Sequence, residues 1–214
     1  MLPYLFIITT LLSFVLFYLG TGKDKRVLII SSLWLFTIAL IAYNGYFENT
    51  IQRPPRFLFV ILATTIISVI IYRKTRFNEI SVNFLMGVHA LRTSVEFILF
   101  ELFLRHKIPI LMTYKGWNFD ILIGISALLI LFYLLYTKKN LSGAFLLSWN
   151  ILGVTFLSII VLIAIFSSPS PIQQLAFEQP NIAVLQFPYI FLPTYIVPVV
   201  FISHLLTIRD TLNG

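Results

Sequence analysis

The sequence predicts an all-α integral membrane protein: a seven-transmembrane-helix bundle with its N-terminus outside and its C-terminus cytoplasmic. Three observations predict it. Of the 214 residues, 59% are hydrophobic and 11% charged, against about 25% charged in an ordinary soluble domain. Mean hydropathy is +0.96. Apolar runs recur along the whole chain at close to the ~20 residues a helix needs to cross the ~30 Å hydrocarbon layer.

The first run, 3–20, lacks a basic stretch before it and a small-residue cleavage site after it. It reads as a retained helix and not as a signal peptide. The second and third, 27–44 and 57–72, are short, so flanking Tyr and Arg side chains would snorkel to the interface. None of these three runs holds a charged residue. Residues 1–78 therefore read as a three-helix apolar scaffold. Residues 79–214 read as four helices carrying a polar intramembrane site, and together the two parts make one transmembrane domain, 1–214.

The fourth run, 80–104, differs from the others. His89, Arg92 and Glu96 are spaced by three and four residues, which places them on one helix face. A charge at the bilayer centre costs about 2.5–3.5 kcal/mol on insertion scales. Such a stripe is expected to face the bundle interior and to mark a functional site. The structural alternative is an Arg92–Glu96 ion pair that only locks helix packing.

The fifth run, 119–137, opens on Asn118-Phe119-Asp120. Asn118 and Asp120 read either as helix caps or as an outer gate above Glu96. The sixth, 141–166, carries Asn150. Asn78-Glu79 and Asn140 read as start signals for the fourth and sixth helices. The seventh, 184–207, carries Pro188, Pro193 and Pro198. Pro193 frees the carbonyl of Tyr189 and Pro198 that of Thr194, and in a membrane such carbonyls need a partner. At ~1.5 Å per residue, His89 and Asn150 lie ~15 Å from the inner end, Arg92 ~20 Å and Tyr195 ~21 Å, with Thr194 beside it. His89, Arg92, Glu96, Asn150, Thr194 and Tyr195 are thus the candidate ligand-binding set.

Orientation follows from basic residues. Lys23, Lys25, Arg26, Arg73, Lys74, Arg76, Lys138, Lys139 and Arg209 fall on one side, nine in all. Arg53, Arg56, Arg105, Lys107 and Lys115 make five on the other. The positive-inside bias puts the first group in the cytoplasm. It also accounts for the net charge of +7 without nucleic acid as a partner. The compact loops point to a bacterial inner membrane, with the lipid bilayer as the constant partner and a homo-oligomer allowed.

Several chemistries fall away. With no Cys, thiolate metal sites and cysteine nucleophiles are excluded. No H-E-x-x-H pair, P-loop or dinucleotide fingerprint is present, so no metal site is expected. A haem held by His89 and His204 is disfavoured, because His204 would sit only ~7 Å from the inner end as an interfacial residue. The leading expectation is a site that binds or translocates a small molecule or lipid-like ligand, with a proton-linked step and no cofactor. The alternatives are a membrane-embedded enzyme acting on a lipid or isoprenoid, with Glu96 and His89 as acid and base, and a structural or assembly subunit.

Overall fold

A computed structural model describes residues 1–50, 56–75, 79–139 and 141–213. Arg53, Arg76, Asn78 and Asn140, used above for orientation and capping, lie outside the described residues. The helices are α1 (Leu2–Gly20), α2 (Lys25–Tyr43), α3 (Arg56–Lys74), α4 (Val82–Ala90), α5 (Arg92–Leu104), α6 (Asp120–Thr137), α7 (Gly143–Ser167) and α8 (Val197–Asn213). A π-helical turn, Leu192–Ile196, leads into α8. Among the described residues there is no strand.

Among the described residues, six helical segments are long and apolar enough to cross a membrane: α1, α2, α3, α6, α7 and Leu192–Asn213. Their outward faces are apolar. Leu33, Phe36 and Leu40 on α2, Leu62 and Ile66 on α3, and Leu129, Phe132 and Leu135 on α6 are all exposed. Such surfaces belong in hydrocarbon and not in water. The chain is a multi-pass membrane protein.

The expected single span over 80–104 is not among the six. It is two shorter helices, α4 and α5, meeting at Leu91. Leu91 itself keeps a right-handed helical conformation, so the chain continues with little change of direction. The interruption at Leu91 leaves two helices of 9 and 13 residues in this stretch, each too short alone to cross the hydrocarbon layer. The ends of the stretch are tied to opposite ends of the bundle. The Ser81 N–H donates to the Gly20 carbonyl at the end of α1, at 2.9 Å. At the other end the Gln179 side chain donates to the carbonyls of Phe103 and Ile108.

The basic loops meet at one end. Arg26 donates to the Lys74 carbonyl at 2.9 Å. Arg209 donates to the carbonyls of Tyr72 and Thr75. Two apolar cores hold the helices together. The larger includes Phe6, Phe17, Ile38, Leu85, Ile98 and Leu206. The smaller joins α4, α6 and α7 through Met86, Ala90, Ile123, Ala127, Ile130 and Trp149. The polar stripe of α4 and α5 lies between them.

The prolines of the last span act as expected on the backbone. The Thr194 carbonyl, left without its helical donor by Pro198, accepts from the Trp34 indole N–H at 2.9 Å. The Tyr189 carbonyl accepts from the Leu192 N–H at 3.0 Å. A neighbouring side chain and a tightened turn thus supply what the membrane cannot.

Candidate functional site

Arg92 opens α5 and is 3% exposed. Its guanidinium forms an ion pair with Asp120, the first residue of α6. Its Nη1 also donates to His204 Nε2 at 3.0 Å. An arginine can only donate, so His204 Nε2 must be the accepting nitrogen. The ring proton then sits on Nδ1, which donates to Asn150 Oδ1 at 2.8 Å. The geometry therefore fixes His204 as a neutral ring with a defined tautomer. Asn150 completes its own bonding by donating from Nδ2 to the Leu146 carbonyl at 2.8 Å.

Glu96 lies one turn beyond Arg92 and is 2% exposed. Its two carboxylate oxygens accept from Asn118 Nδ2 at 2.7 and 2.8 Å. Asn118 also donates to the Met112 carbonyl at 3.1 Å. Its Oδ1 accepts from the Asp120 N–H at 3.1 Å, so it caps α6 from two residues before the helix. Glu96, Asn118, Asp120, Arg92, His204 and Asn150 form one continuous buried chain. It draws on α5, the loop before α6, α6 itself, α7 and α8.

His89 joins this chain by stacking. Its ring lies on His204 with centroids 3.9 Å apart and an interplanar angle of 26°. Trp149 packs edge-on to it at 5.3 Å and against His204 at 5.5 Å. The Trp149 indole N–H donates to Ser126 Oγ at 3.0 Å. Neither nitrogen of His89 has a hydrogen-bond partner.

Close packing surrounds the network. Gly124 of α6 lies so near Thr93 and the Arg92 backbone that a Cβ there would meet the Thr93 nitrogen at 2.7 Å. Gly153 of α7 lies directly against the His204 ring.

The sequence-derived set divides. His89, Arg92, Glu96 and Asn150 come together, and Asn118 and Asp120 join them. Asn118 and Asp120, expected as caps or an outer gate, are 2% and 5% exposed and lie within the buried network. Arg92 pairs with Asp120 and not with Glu96, because Asn118 occupies the Glu96 carboxylate. Thr194 and Tyr195 are buried elsewhere, beside Trp34 and Ser31 at the start of the last span.

His204 is the residue that the sequence reading misplaced. It is 0% exposed, and α8 runs on to Asn213. Measured from that end it lies ~13 Å in, close to the level of His89. The available signal was Val200, His204 and Thr207, spaced by four and three on one helix face.

Replacing Asn118 by Leu is expected to leave the Glu96 carboxylate and the Asp120 N–H without partners in a dry site. The cost should be about 1–3 kcal/mol, read as a lowered unfolding midpoint in detergent. Asn118→Gln should not restore it, because the longer side chain cannot hold both bonds.

The fold and site thus define a multi-pass helical membrane protein with a buried, hydrogen-bonded ionic network. The chain belongs to the family described as Domain of unknown function (DUF8737), whose family model matches residues 56–211. No curated protein and no solved structure matches it. The matched stretch contains every residue of the network.

Proposed function

We propose that this is a proton-linked membrane protein of the binding or translocating kind, with the chain from Glu96 to Asn150 and the adjoining His89 as its proton-carrying site. One observation carries the reading. The Arg92–Asp120 ion pair bonds His204 and the Glu96 carboxylate is joined to it through Asn118, all inside the bundle, and at the inner end a histidine ring has both nitrogens unpartnered. The chain reaches from the first residue of α6 to ~10 Å from the start of α7. Between hydrogen-bonded groups a proton needs no free volume to move, whereas the stack of His89 on His204 supplies no such bond until a ring turns. A bulkier guest, whether a small molecule or a lipid-like ligand, would need the helices to part first, and the junctions at Leu91 and Leu192–Ile196 are where the helices are already interrupted. In this reading α4 and α5 together make a seventh crossing, the N-terminus is outside, and the setting is a bacterial inner membrane.

The enzyme alternative has less support. Glu96 is held by Asn118, and His89 lies seven residues away, ~10 Å along the helix axis, so the two do not form an acid–base pair. The structural reading has one observation in its favour: the close approach of Gly124 and Gly153 fills the surroundings of the ion pair, as a packing lock would.

Infrared spectroscopy of the reconstituted full chain separates the two readings. A proton-carrying site predicts a carboxyl carbonyl band that changes with pH and is lost in Glu96→Gln. It also predicts proton uptake into proteoliposomes above that of empty vesicles. A lock predicts a silent carboxyl region and no uptake, and that result would overturn the proposal.

A further inference from the structure

At the end of the bundle where the basic loops meet, α2 begins and α3 finishes. The Arg26 guanidinium ties the two together by donating to the Lys74 carbonyl at 2.9 Å. Arg26 also pairs with Asp24 at 2.7 Å, so its charge is answered within the chain. Lys25, Arg73 and Lys74 are exposed beside it, and so is Lys23 in the turn before α2. In the loops 21–25 and 75–81 the acidic residues are Asp24 and Glu79, and both act on Arg26. Positive charge is left over at Lys23, Lys25, Arg73 and Lys74.

Each of the two helices carries an outward apolar stripe that runs straight from these cations. On α2, Lys25 is followed along one face by Ile29, Leu33 and Phe36, which are 57%, 63% and 69% exposed. On α3, Arg73 is preceded along one face by Ile70, Ile66 and Leu62, which are 38%, 61% and 53% exposed. Spacings of three and four residues keep each set in line. The buried side chains of the same helices, Ser31 on α2 and Thr64 on α3, lie on the side of the last span. Both stripes therefore look out at lipid. At ~1.5 Å per residue each runs ~16 Å from its cation, about one leaflet of the ~30 Å hydrocarbon layer.

We infer that this corner is a docking site for an anionic diacyl phospholipid. Its phosphate is held among Lys25, Arg73 and Lys74, and its acyl chains lie along the two stripes. Charge complementarity selects this occupant. A phosphodiester without a balancing ammonium brings net negative charge to the level where the helices end in unanswered cations. Each Lys or Arg near such a surface strengthens the attraction ~5-fold. A zwitterionic lipid carries its own ammonium, which offsets that gain. The apolar half of the site is open to the bilayer, since α2 and α3 are the least buried of the six spans. The site is separate from the buried ionic network and does not depend on the proton-linked reading.

The test uses the full chain in phosphatidylcholine nanodiscs doped with a phosphatidylglycerol that bears a diazirine on one acyl chain. Phosphatidylcholine with the same diazirine is the reference. Labelling of the α2 and α3 peptides should favour the phosphatidylglycerol at least ~5-fold. The variant Lys25→Gln, Arg73→Gln, Lys74→Gln changes only exposed side chains and should bring the two lipids close to parity. Lys138→Gln with Lys139→Gln, in the loop after α6, should leave the preference intact. Salt supplies a check on the unaltered chain: the preference should shrink as ionic strength rises from about 0.05 to 0.5 M and screening shortens the reach of the cations. Equal labelling by the two lipids, or a preference that survives the triple variant or resists salt, would overturn the inference and leave the stripes to unselective boundary lipid.

Discussion

Arg92→Leu is expected to be the most damaging single substitution in the chain. It removes the partner of a carboxylate, Asp120, that is 5% exposed, and the donor that His204 Nε2 accepts from. Breaking a buried ion pair from one side costs about 3–5 kcal/mol, because the remaining charge has no solvent. The loss should appear as a large fall in the unfolding midpoint in detergent. Arg92→Lys should rescue only part of it, since one ammonium cannot serve both Asp120 and His204 with the reach of a guanidinium fork.

Removing both charges together should behave differently. In Arg92→Leu with Asp120→Leu neither half of the ion pair is left stranded, and such replacements are often neutral or stabilising. The double variant should recover most of the stability lost in Arg92→Leu. It would also divide structure from function. A packing lock tolerates the exchange, whereas a proton-carrying chain is cut by it. A double variant that folds well but shows no proton uptake would therefore support the proposed function. Full retention of uptake would count against it. If Arg92→Leu costs less than about 1 kcal/mol, the range typical of single interhelical hydrogen bonds in membranes, the network is not what joins α5 to α6 and α8.

Much of this architecture is legible in the sequence, for a simple reason. Hydrophobic length is a direct readout of span, so the runs 3–20, 27–44, 57–72, 119–137 and 141–166 lie within a few residues of observed helices, whereas the last, 184–207, is met by a helical segment shifted to Leu192–Asn213. The expense of charge in hydrocarbon made the stripe of His89, Arg92 and Glu96 conspicuous, and all three are buried. The pairing was less legible. Arg92 and Glu96, four apart on one helix, look like natural partners, but helix spacing says nothing of what stands opposite. Asp120 carries the signature of a helix start, and Asn118 the signature of a cap. Both residues also serve the neighbouring helix, a second role that no local pattern encodes. His204 was misjudged through the ruler, because the last helix runs four residues past Arg209.

Gly153→Ala sets two known effects of opposite sign against each other. In a helix interior, alanine is favoured over glycine by about 0.5–1 kcal/mol. At this position, though, the added Cβ would fall on the edge of the His204 ring, at Cε1 and Nε2. The ring has nowhere to go. Arg92 and Asn150 bond its two nitrogens, His89 covers one face, and Trp149 packs against it. Overpacking a fixed neighbour costs about 1–3 kcal/mol, and here it also strains two buried hydrogen bonds, so the steric term wins. Gly153→Ala should lower the unfolding midpoint despite the better helix former. The attribution to His204 is checked by a double-mutant cycle. Combined with His204→Ala, the substitution should cost little or even stabilise, giving a coupling energy of about 1–3 kcal/mol. Additive losses would mean that α7 is disturbed elsewhere and that the imidazole is not pinned as the geometry requires. Gly143, at the start of the same helix, supplies the control. Its Cβ would meet only the Thr211 methyl at 3.3 Å, so Gly143→Ala should be close to neutral and should show no coupling to His204.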